Sequence, residues 1–548
     1  MENYTRRRFI AIMGSALAVS GSGLPAVAQE TATPAAGPRP VKYGILHNEL
    51  RCIGCKACMT ACRKTNQVPE GVTRLDIIQT VDIPATDSSK PIKQFFRQSC
   101  QHCDNPPCVS VCPTGASFKD ALTGIVDVND KRCVGCRYCI AACPYHVRFI
   151  NPMTHTADKC NFCRETNLAA GKKPACVEIC PTKALVFGDL NDPDSEISKM
   201  IKSNPIYRSK VYLGTGPTST AFPVNTERAT MHDAFHFHSL VWDWPIAVYL
   251  LLVGISSGMM VLTLLFRRYL PAENQHANPL ITATAIVAPL SVIVGLVILI
   301  FHLARPITFW YLMIFYNPSS IMSLGVMLFQ VYMLVMFLWI ASLYQQPLLA
   351  WSERQLPGAL CGLLNRVIAL VTRSIRPVEN LLLVLALLLG CYTGFLLSAL
   401  KSFPLLNNPV LPVLFLVSGV TSGIAVLMMV GASARSHRDC PHTLHLLHKL
   451  EKPVALIELF LLFAFFIGLL LGGGQKAVAA QVALSGFWGG VFWIGIIGIG
   501  MLAPLAAGSL PAMRRHVTSL PRIAAGLTLL GVFLLRLFVL YAGQMTVA

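Results

Sequence analysis

Sixteen of the nineteen cysteines stand between Cys52 and Cys180, in four groups of four. The groups read Cys52-x2-Cys55-x2-Cys58-x3-Cys62, Cys100-x2-Cys103-x4-Cys108-x3-Cys112, Cys133-x2-Cys136-x2-Cys139-x3-Cys143 and Cys160-x2-Cys163-x12-Cys176-x3-Cys180. In three of them a proline follows the last cysteine: Pro113, Pro144 and Pro181. A cubane iron–sulfur cluster needs four soft thiolates that converge, and a C-x2-C-x2-C run supplies three of them from one turn of backbone. The fourth comes from another group, so the groups must pair. Sixteen thiolates suffice for four [4Fe–4S] clusters, and the chemistry they imply is electron transfer.

Two other uses of cysteine compete with this reading. Disulfides suit an exported domain, and C-x2-C pairs also bind zinc. Neither needs a third cysteine at the same spacing or the x3-Cys-Pro ending, and the pattern recurs with little variation. No C-x-x-C is followed by His, so covalent haem is not expected. The remaining Cys361, Cys391 and Cys440 sit at no ligand spacing and read as small apolar residues. By analogy with two-cluster ferredoxins, the last cysteine of each run crosses to the partner cluster. That rule assigns Cys52, Cys55, Cys58 and Cys180 to one cluster, and Cys160, Cys163, Cys176 and Cys62 to a second. Cys100, Cys103, Cys108 and Cys143 form a third, and Cys133, Cys136, Cys139 and Cys112 a fourth.

These residues must be delivered and positioned by the rest of the chain. Residues 1–28 carry Arg6-Arg7-Arg8-Phe9 and end in Ala26-Val27-Ala28, the pattern of a twin-arginine export signal with its cleavage site. Cofactors inserted before export require a route for folded cargo. Residues 29–41 read as a flexible lead-in, 42–215 as the cluster domain and 216–235 as a linker. Residues 236–548 contain apolar runs long enough to cross a bilayer, at about 244–266, 280–303, 320–344, 380–400, 409–431, 454–472, 486–507 and 522–542. The stretch 356–372 is interrupted by Asn365 and Arg366 and reads as a surface helix instead. The expected fold is an α+β ferredoxin-like iron–sulfur domain followed by an all-α transmembrane bundle of eight helices. Alternate loops carry Arg267 and Arg268; Arg354, Arg366, Arg373 and Arg376; Arg435, Arg438, Lys449 and Lys452; and Arg514 and Arg515. By the positive-inside rule these loops are cytoplasmic. The cluster domain is then periplasmic, at a bacterial inner membrane. A net charge of +18 reflects that bias and the cations around the cysteines, and no nucleic-acid role is expected.

An ionisable residue inside an apolar span is a functional candidate by default. His236, His238, Asp243, His302, Arg305, Trp310, Tyr311, Asn317 and Arg536 all fall at or near the end of the bundle that faces the cluster domain. A quinone head group needs hydrogen-bond partners, a proton carrier and a nearby redox centre, so this set is the candidate quinone site. Bis-histidine haem needs two buried histidines and only His302 lies in a span, so no haem is expected. Glu458, within the sixth span, reads as the start of a proton path or as a paired charge. His437, His442, His445 and His448 read as part of a solvated amphipathic segment.

The segments CIGCKACMTAC, CQHCDNPPCVSVCPTGA, CVGCRYCIAACPY and CNFC…CVEICPTKAL resemble the four-cluster electron-transfer subunits of complex iron–sulfur molybdoenzymes and of the formate-dependent nitrite reductase system. WDWPIAVYLLLVGISSGMMVL, FHLARPITFWYLMIFYNPSSIMSLG, GCYTGFLLS, LFLVSGVTSG and LRLFVLYAGQ resemble the polysulfide reductase/NrfD family of membrane anchors, joined here to the first in one chain. An acidic residue is common in that family where this chain has His302. The resemblance implies that menaquinol or ubiquinol from the quinone pool is oxidised at the outer face. Electrons then pass through the clusters to a periplasmic molybdopterin-type catalytic subunit of an anaerobic respiratory reductase, such as a polysulfide or thiosulfate enzyme. Reverse flow, from a hydrogenase or formate dehydrogenase-like partner to quinone, is the alternative direction. A non-catalytic membrane anchor is the alternative of another class, and scarce intramembrane carboxylates weigh against an ion-pumping transporter.

Overall fold

A computed structural model describes residues 40–83, 92–222, 240–270, 278–355, 357–432, 440–507 and 519–546. The export signal, His236, His238, His437 and the loop arginines Arg435, Arg438, Arg514 and Arg515 lie outside these residues.

The cysteine half has little regular structure, because its loops must wrap around thiols rather than pair with each other. Strand β1 (Tyr43–Asn48) lies between β8 (Leu185–Asp189), antiparallel to it, and β9 (Thr220–Phe222), parallel to it. Strands β2 (Leu75–Ile83) and β3 (Ile92–Ser99) form an antiparallel pair with an irregularity at Gln79 and Val81. Short ladders separate the later cysteine groups: β4 (Ser117–Lys119) with β5 (Val126–Val128), and β6 (Phe149–Ile150) with β7 (Ala157–Asp158). The core here is built from Ile45, Phe96, Phe162 and Phe187 together with the cysteines themselves, among them Cys58, Cys62, Cys100 and Cys160. The thiols therefore occupy the positions that aliphatic side chains fill in an ordinary small domain.

The second half carries eight helices long and apolar enough to cross a membrane. They are α1 (Trp244–Tyr269), α2 (Pro279–His302), α3 (Ile321–Leu343), α4 (Ile375–Ser398), α5 (Leu411–Gly431), α6 (Pro441–Leu471), α7 (Gly486–Ala507) and α8 (Pro521–Met545). Two start earlier than their apolar runs: α4 at Ile375 and α6 at Pro441. Backbone hydrogen bonding carries a helix past the end of its lipid-facing stretch, and Pro453 is absorbed inside α6. His442, His445 and His448 accordingly lie in the first turns of α6, where Leu444 and Leu447 turn inward. Gly358–Arg373 is a separate helix with Ile368 and Val371 buried and Leu360, Leu363 and Leu370 exposed. At 16 residues it spans about 24 Å, short of the hydrocarbon thickness.

Helix α1 is the hub, with 78% of its apolar window buried against 28% for α6. It meets α5 through glycines: a Cβ on Gly258 would stand 2.0 Å from the Gly419 carbonyl oxygen. No larger residue permits that approach, and small residues at such crossings are how helices associate without a hydrophobic drive. Residues Val41–Ala548 form one compact unit. Its largest apolar cluster runs unbroken from Cys108, Cys133 and Tyr138 through Trp242 into the helices.

Candidate electron-transfer site

The first and third cysteine groups each carry a glycine in the left-handed region, Gly54 at φ 68° and Gly135 at φ 68°, followed two residues on by Lys56 and Arg137 at φ 59° and 62°. These turns curl the loop so that successive thiols face one point. The structure gathers the sixteen thiols into four sets. Cys62, Cys160, Cys163 and Cys176 line one small cavity, with Asn66, Arg74 and Arg97. Cys112, Cys133, Cys136 and Cys139 line another, with Thr114 and Ser117. Cys103 lies within electrostatic reach of Cys100, Cys108 and Cys143, and Cys52 of Cys55 and Cys180, with Cys58 close to both Cys52 and Cys180.

The donor chemistry fits iron–sulfur clusters. None of the nineteen cysteines is paired in a disulfide. Among the described residues no three His, Cys, Asp or Glu converge tightly enough to hold a single metal ion. Several sulfurs accept hydrogen bonds: from the Ser117 amide to Cys112 at 3.3 Å, from Ala157 to Cys133 at 3.4 Å, from Ala184 to Cys180 at 3.3 Å and from the Asn66 amide nitrogen to Cys163 at 3.3 Å. Such bonds stabilise sulfur-borne negative charge. Burial pushes the Cys58 and Cys100 thiols up to about 11 and those of Cys139 and Cys176 up to about 12, against the pull of Arg97, Lys159 and Arg148. A bare thiolate there needs a stronger positive partner, which cluster iron would supply.

The sets form a line. Cys58 of the first set adjoins Cys176 of the second, Cys160 of the second adjoins Cys100, and Cys108 adjoins Cys139. A buried cation stands at each junction. Arg97, 4% exposed, faces Cys58 and Cys176; Lys159, 1% exposed, faces Cys100; Arg148, 2% exposed, faces Cys100, Cys108, Cys139 and Cys143. Burial would lower Arg148, yet the surrounding thiolates hold its guanidinium above the ordinary arginine value. The sequence puts cations throughout the cysteine half, and nothing in their spacing distinguishes these three. At one end of the line Cys55 is exposed and Cys52 and Cys180 are partly so. At the other, Cys136 reaches the membrane half.

Cys136 borders a cavity of about 260 Å³ whose wall also includes Trp242, Tyr249, Leu250, His302, Gln330 and Tyr392. His302 ends α2, and its Nε2 is buried without a hydrogen-bond partner. Asp243 and Arg137 lie within electrostatic reach of it. Trp242, Tyr249, Gln330 and Tyr392 were not singled out from sequence; Trp242, Tyr249 and Tyr392 look like ordinary interfacial or core aromatics until the helices meet.

The other candidates go elsewhere. Arg305 Nη1 donates to the carbonyls of Asp130 at 2.9 Å and Cys133 at 3.2 Å. Asn317 Nδ2 donates to Cys112 O at 2.8 Å. Both therefore clamp the cysteine loops to the bundle, through loop carbonyls that are exposed or half-buried at the junction. Ser320 Oγ to Val111 O at 2.7 Å, Tyr138 OH to Leu396 O at 2.9 Å, the Ala304 amide to Gly135 O at 3.1 Å and Ser402 Oγ to Ala141 O add to the clamp. Tyr311 packs edge-on to Trp310 and Phe315, away from the cavity wall. Arg536 is 1% exposed, stacks 3.6 Å from the centre of the Phe415 ring and belongs with Glu458 in a different part of the bundle.

Family comparison matches residues 232–548 to the polysulphide reductase, NrfD family, and residues 51–116 and 92–190 to two 4Fe-4S dicluster domains. The chain is 50% identical over 324 residues to Protein NrfD of Escherichia coli K12, covering 58% of this chain and 100% of that protein. It is 58% identical over 214 residues to Protein NrfC of the same organism, 39% of this chain and 93% of that protein. The thiosulfate reductase electron transfer subunit PhsB of Salmonella typhi is 53% identical over 169 residues, 31% of this chain and 86% of its own length. Two stretches matched by separate proteins in those relatives are thus one polypeptide here. The chain belongs to the NrfD polysulphide reductase family of multi-pass membrane proteins, fused to a 4Fe-4S dicluster half that makes it an iron–sulfur electron-transfer protein with its own membrane anchor.

Proposed function

We propose that the chain oxidises menaquinol or ubiquinol in the cavity beside Cys136 and passes the electrons outward, through four [4Fe–4S] clusters, to a periplasmic catalytic subunit of molybdopterin type in an anaerobic respiratory reductase. The observation that carries this reading is a largely apolar cavity that joins a cysteine of the innermost set to a histidine with an unpartnered ring nitrogen. Apolar walls suit a quinol ring and tail, and few polar groups suffice to orient it. Oxidation of one quinol releases two electrons and two protons. His302 Nε2 takes up the two protons one at a time, one with each electron that leaves, and Asp243 balances the imidazolium and accepts each proton in turn, releasing it to water before the next arrives. When bound, each cluster supplies a one-electron relay. The ligands are the sixteen cysteines in the sets described, and the exit is the set with exposed Cys55, rimmed by exposed Leu50, Ile53 and Ile179. The twin-arginine pattern and the basic residues at the helix ends remote from the cysteine half, such as Arg267, Arg268, Arg373 and Arg376, support a periplasmic position for the clusters.

The test is stopped-flow reduction of the full-length, cluster-loaded chain by a menaquinol analogue. Rapid bleaching of the cluster absorbance is expected, blocked by a quinone-site inhibitor. His302→Gln should slow it by about 10²–10⁴-fold with cluster content unchanged. Clusters that quinol cannot reduce, but that reduce quinone when fed by a low-potential donor, would reverse the direction. An unchanged rate in His302→Gln would remove the site.

A further inference from the structure

Glu458 is 3% exposed in the interior of α6. Thr421 Oγ1 donates to its Oε2 at 2.6 Å, and the Ser418 hydroxyl is close by, both from α5. From α8 the group facing it is Arg536, whose Nη2 donates to Phe415 O at 3.0 Å while Nε and Nη1 are buried with no partner. A guanidinium held this way inside an apolar bundle is costly and is found where it has work to do. Glu458 also borders a cavity of about 30 Å³, room for one or two waters, whose wall carries Glu451, Thr421 and Thr528 among apolar residues of α7 and α8. Glu451, next to Lys452, stands two turns nearer the start of α6, about 10 Å toward the face remote from the cysteine half. On the other side, the Cβ position of Gly254 is 3.6 Å from Arg536 Nη2, one turn beyond Leu250 in the wall of the cavity beside Cys136.

We propose that Glu458, Arg536 and Glu451 form a proton-binding site inside the membrane half, loaded from the face opposite the cysteine half. Glu451 takes a proton at the mouth, one or two waters in the cavity hand it on, and Glu458 holds it beside Arg536. Protonation neutralises Glu458 and leaves the Arg536 charge uncompensated beside Gly254, one turn of α1 from Leu250 in the first cavity's wall, so the load on this site is felt there. The site stands whether or not that cavity takes a quinol.

The test uses the full-length, cluster-loaded chain in sealed liposomes of known orientation, with infrared difference spectra recorded in H2O and D2O as pH is stepped on one side at a time. A deuterium-sensitive carboxylic acid band is expected on acidifying the face opposite the cysteine half. It should vanish in Glu458→Gln and rise at least tenfold more slowly in Glu451→Gln. Should Glu458→Gln fail to retain wild-type cluster absorbance, Thr421→Val reads the same group, because losing that hydrogen bond must shift the band. A band that persists in Glu458→Gln, that follows pH on the cysteine side, that ignores Glu451→Gln or that is unmoved by Thr421→Val overturns the proposal.

Discussion

Replacing Arg148 by Met would test whether the buried cations set the energetics of the cysteine line. Arg148 is 2% exposed, donates from Nη1 to Ser117 Oγ at 2.9 Å, and faces Cys100, Cys108 and Cys143 of one set and Cys139 of the next. A unit charge about 7 Å away at an effective dielectric near 20 contributes about 2.4 kcal/mol to holding an added electron. With one tenfold step equal to about 59 mV for a one-electron couple, that is about 100 mV. The midpoints of the two innermost clusters should therefore fall by about 100 mV in Arg148→Met. Arg148→Lys keeps the charge and should shift them by less than half as much. Electron paramagnetic resonance during a redox titration of the full-length chain reads both. A shift under about 20 mV, well below one tenfold step, or an equal shift in the Met and Lys variants, would refute the electrostatic role and leave Arg148 as packing.

Three further outcomes are expected. A Cβ on Gly135, already at φ +68°, would stand 2.6 Å from the Ala304 Cβ and 2.9 Å from His155 O. Gly135→Val should introduce strain on the order of 1–3 kcal/mol at the clamp. Quinol-driven cluster reduction should fall at least tenfold while reduction by dithionite is unchanged; an unaltered quinol rate would show that the clamp does not carry the electrical contact. Gly258→Leu should lower the stability of the solubilised chain by on the order of 1–3 kcal/mol, because α1 and α5 cannot close, whereas Gly468→Leu, with nothing within 4 Å of its Cβ position, should be silent in a thermal melt. Burial first, and Arg97 second, lower His47 to about 3 from 6.5. Its unfolded form therefore takes up a proton that the folded form refuses, so the stability it provides is full above pH 6.5 and is lost as pH falls from 6.5 toward 3, by about 1.4 kcal/mol per pH unit. His47→Phe should flatten that slope and move acid bleaching of the clusters to lower pH; the same midpoint in both proteins would contradict it.

Patterns confined to a short stretch of chain were legible. The thiol spacing and the long apolar runs are local covalent facts, and the structure brings the thiols into four sets and makes eight helices of the runs. Helix starts were less so: α4 and α6 begin outside their apolar runs, since hydrogen bonding rather than hydropathy ends a helix. Of the ionisable residues proposed from sequence for the membrane half, His302 lines the cavity beside Cys136, and a histidine inside an apolar run is conspicuous. Arg305 and Asn317 carry equally suggestive side chains, yet they serve the carbonyls of Cys133 and Cys112, a destination set by which loop lies opposite. The same holds for Arg97, Lys159 and Arg148 at the junctions, for Tyr249 and Tyr392 in the cavity wall, and for Glu458 meeting Arg536. By itself, then, the sequence determined that the chain moves electrons through cysteine-held clusters and sits in a membrane. Only the tertiary structure decided the order of the thiol sets, the cysteine that touches the bundle and the partners of each buried charge. Those depend on contacts between residues far apart in the chain, which no short stretch of sequence specifies.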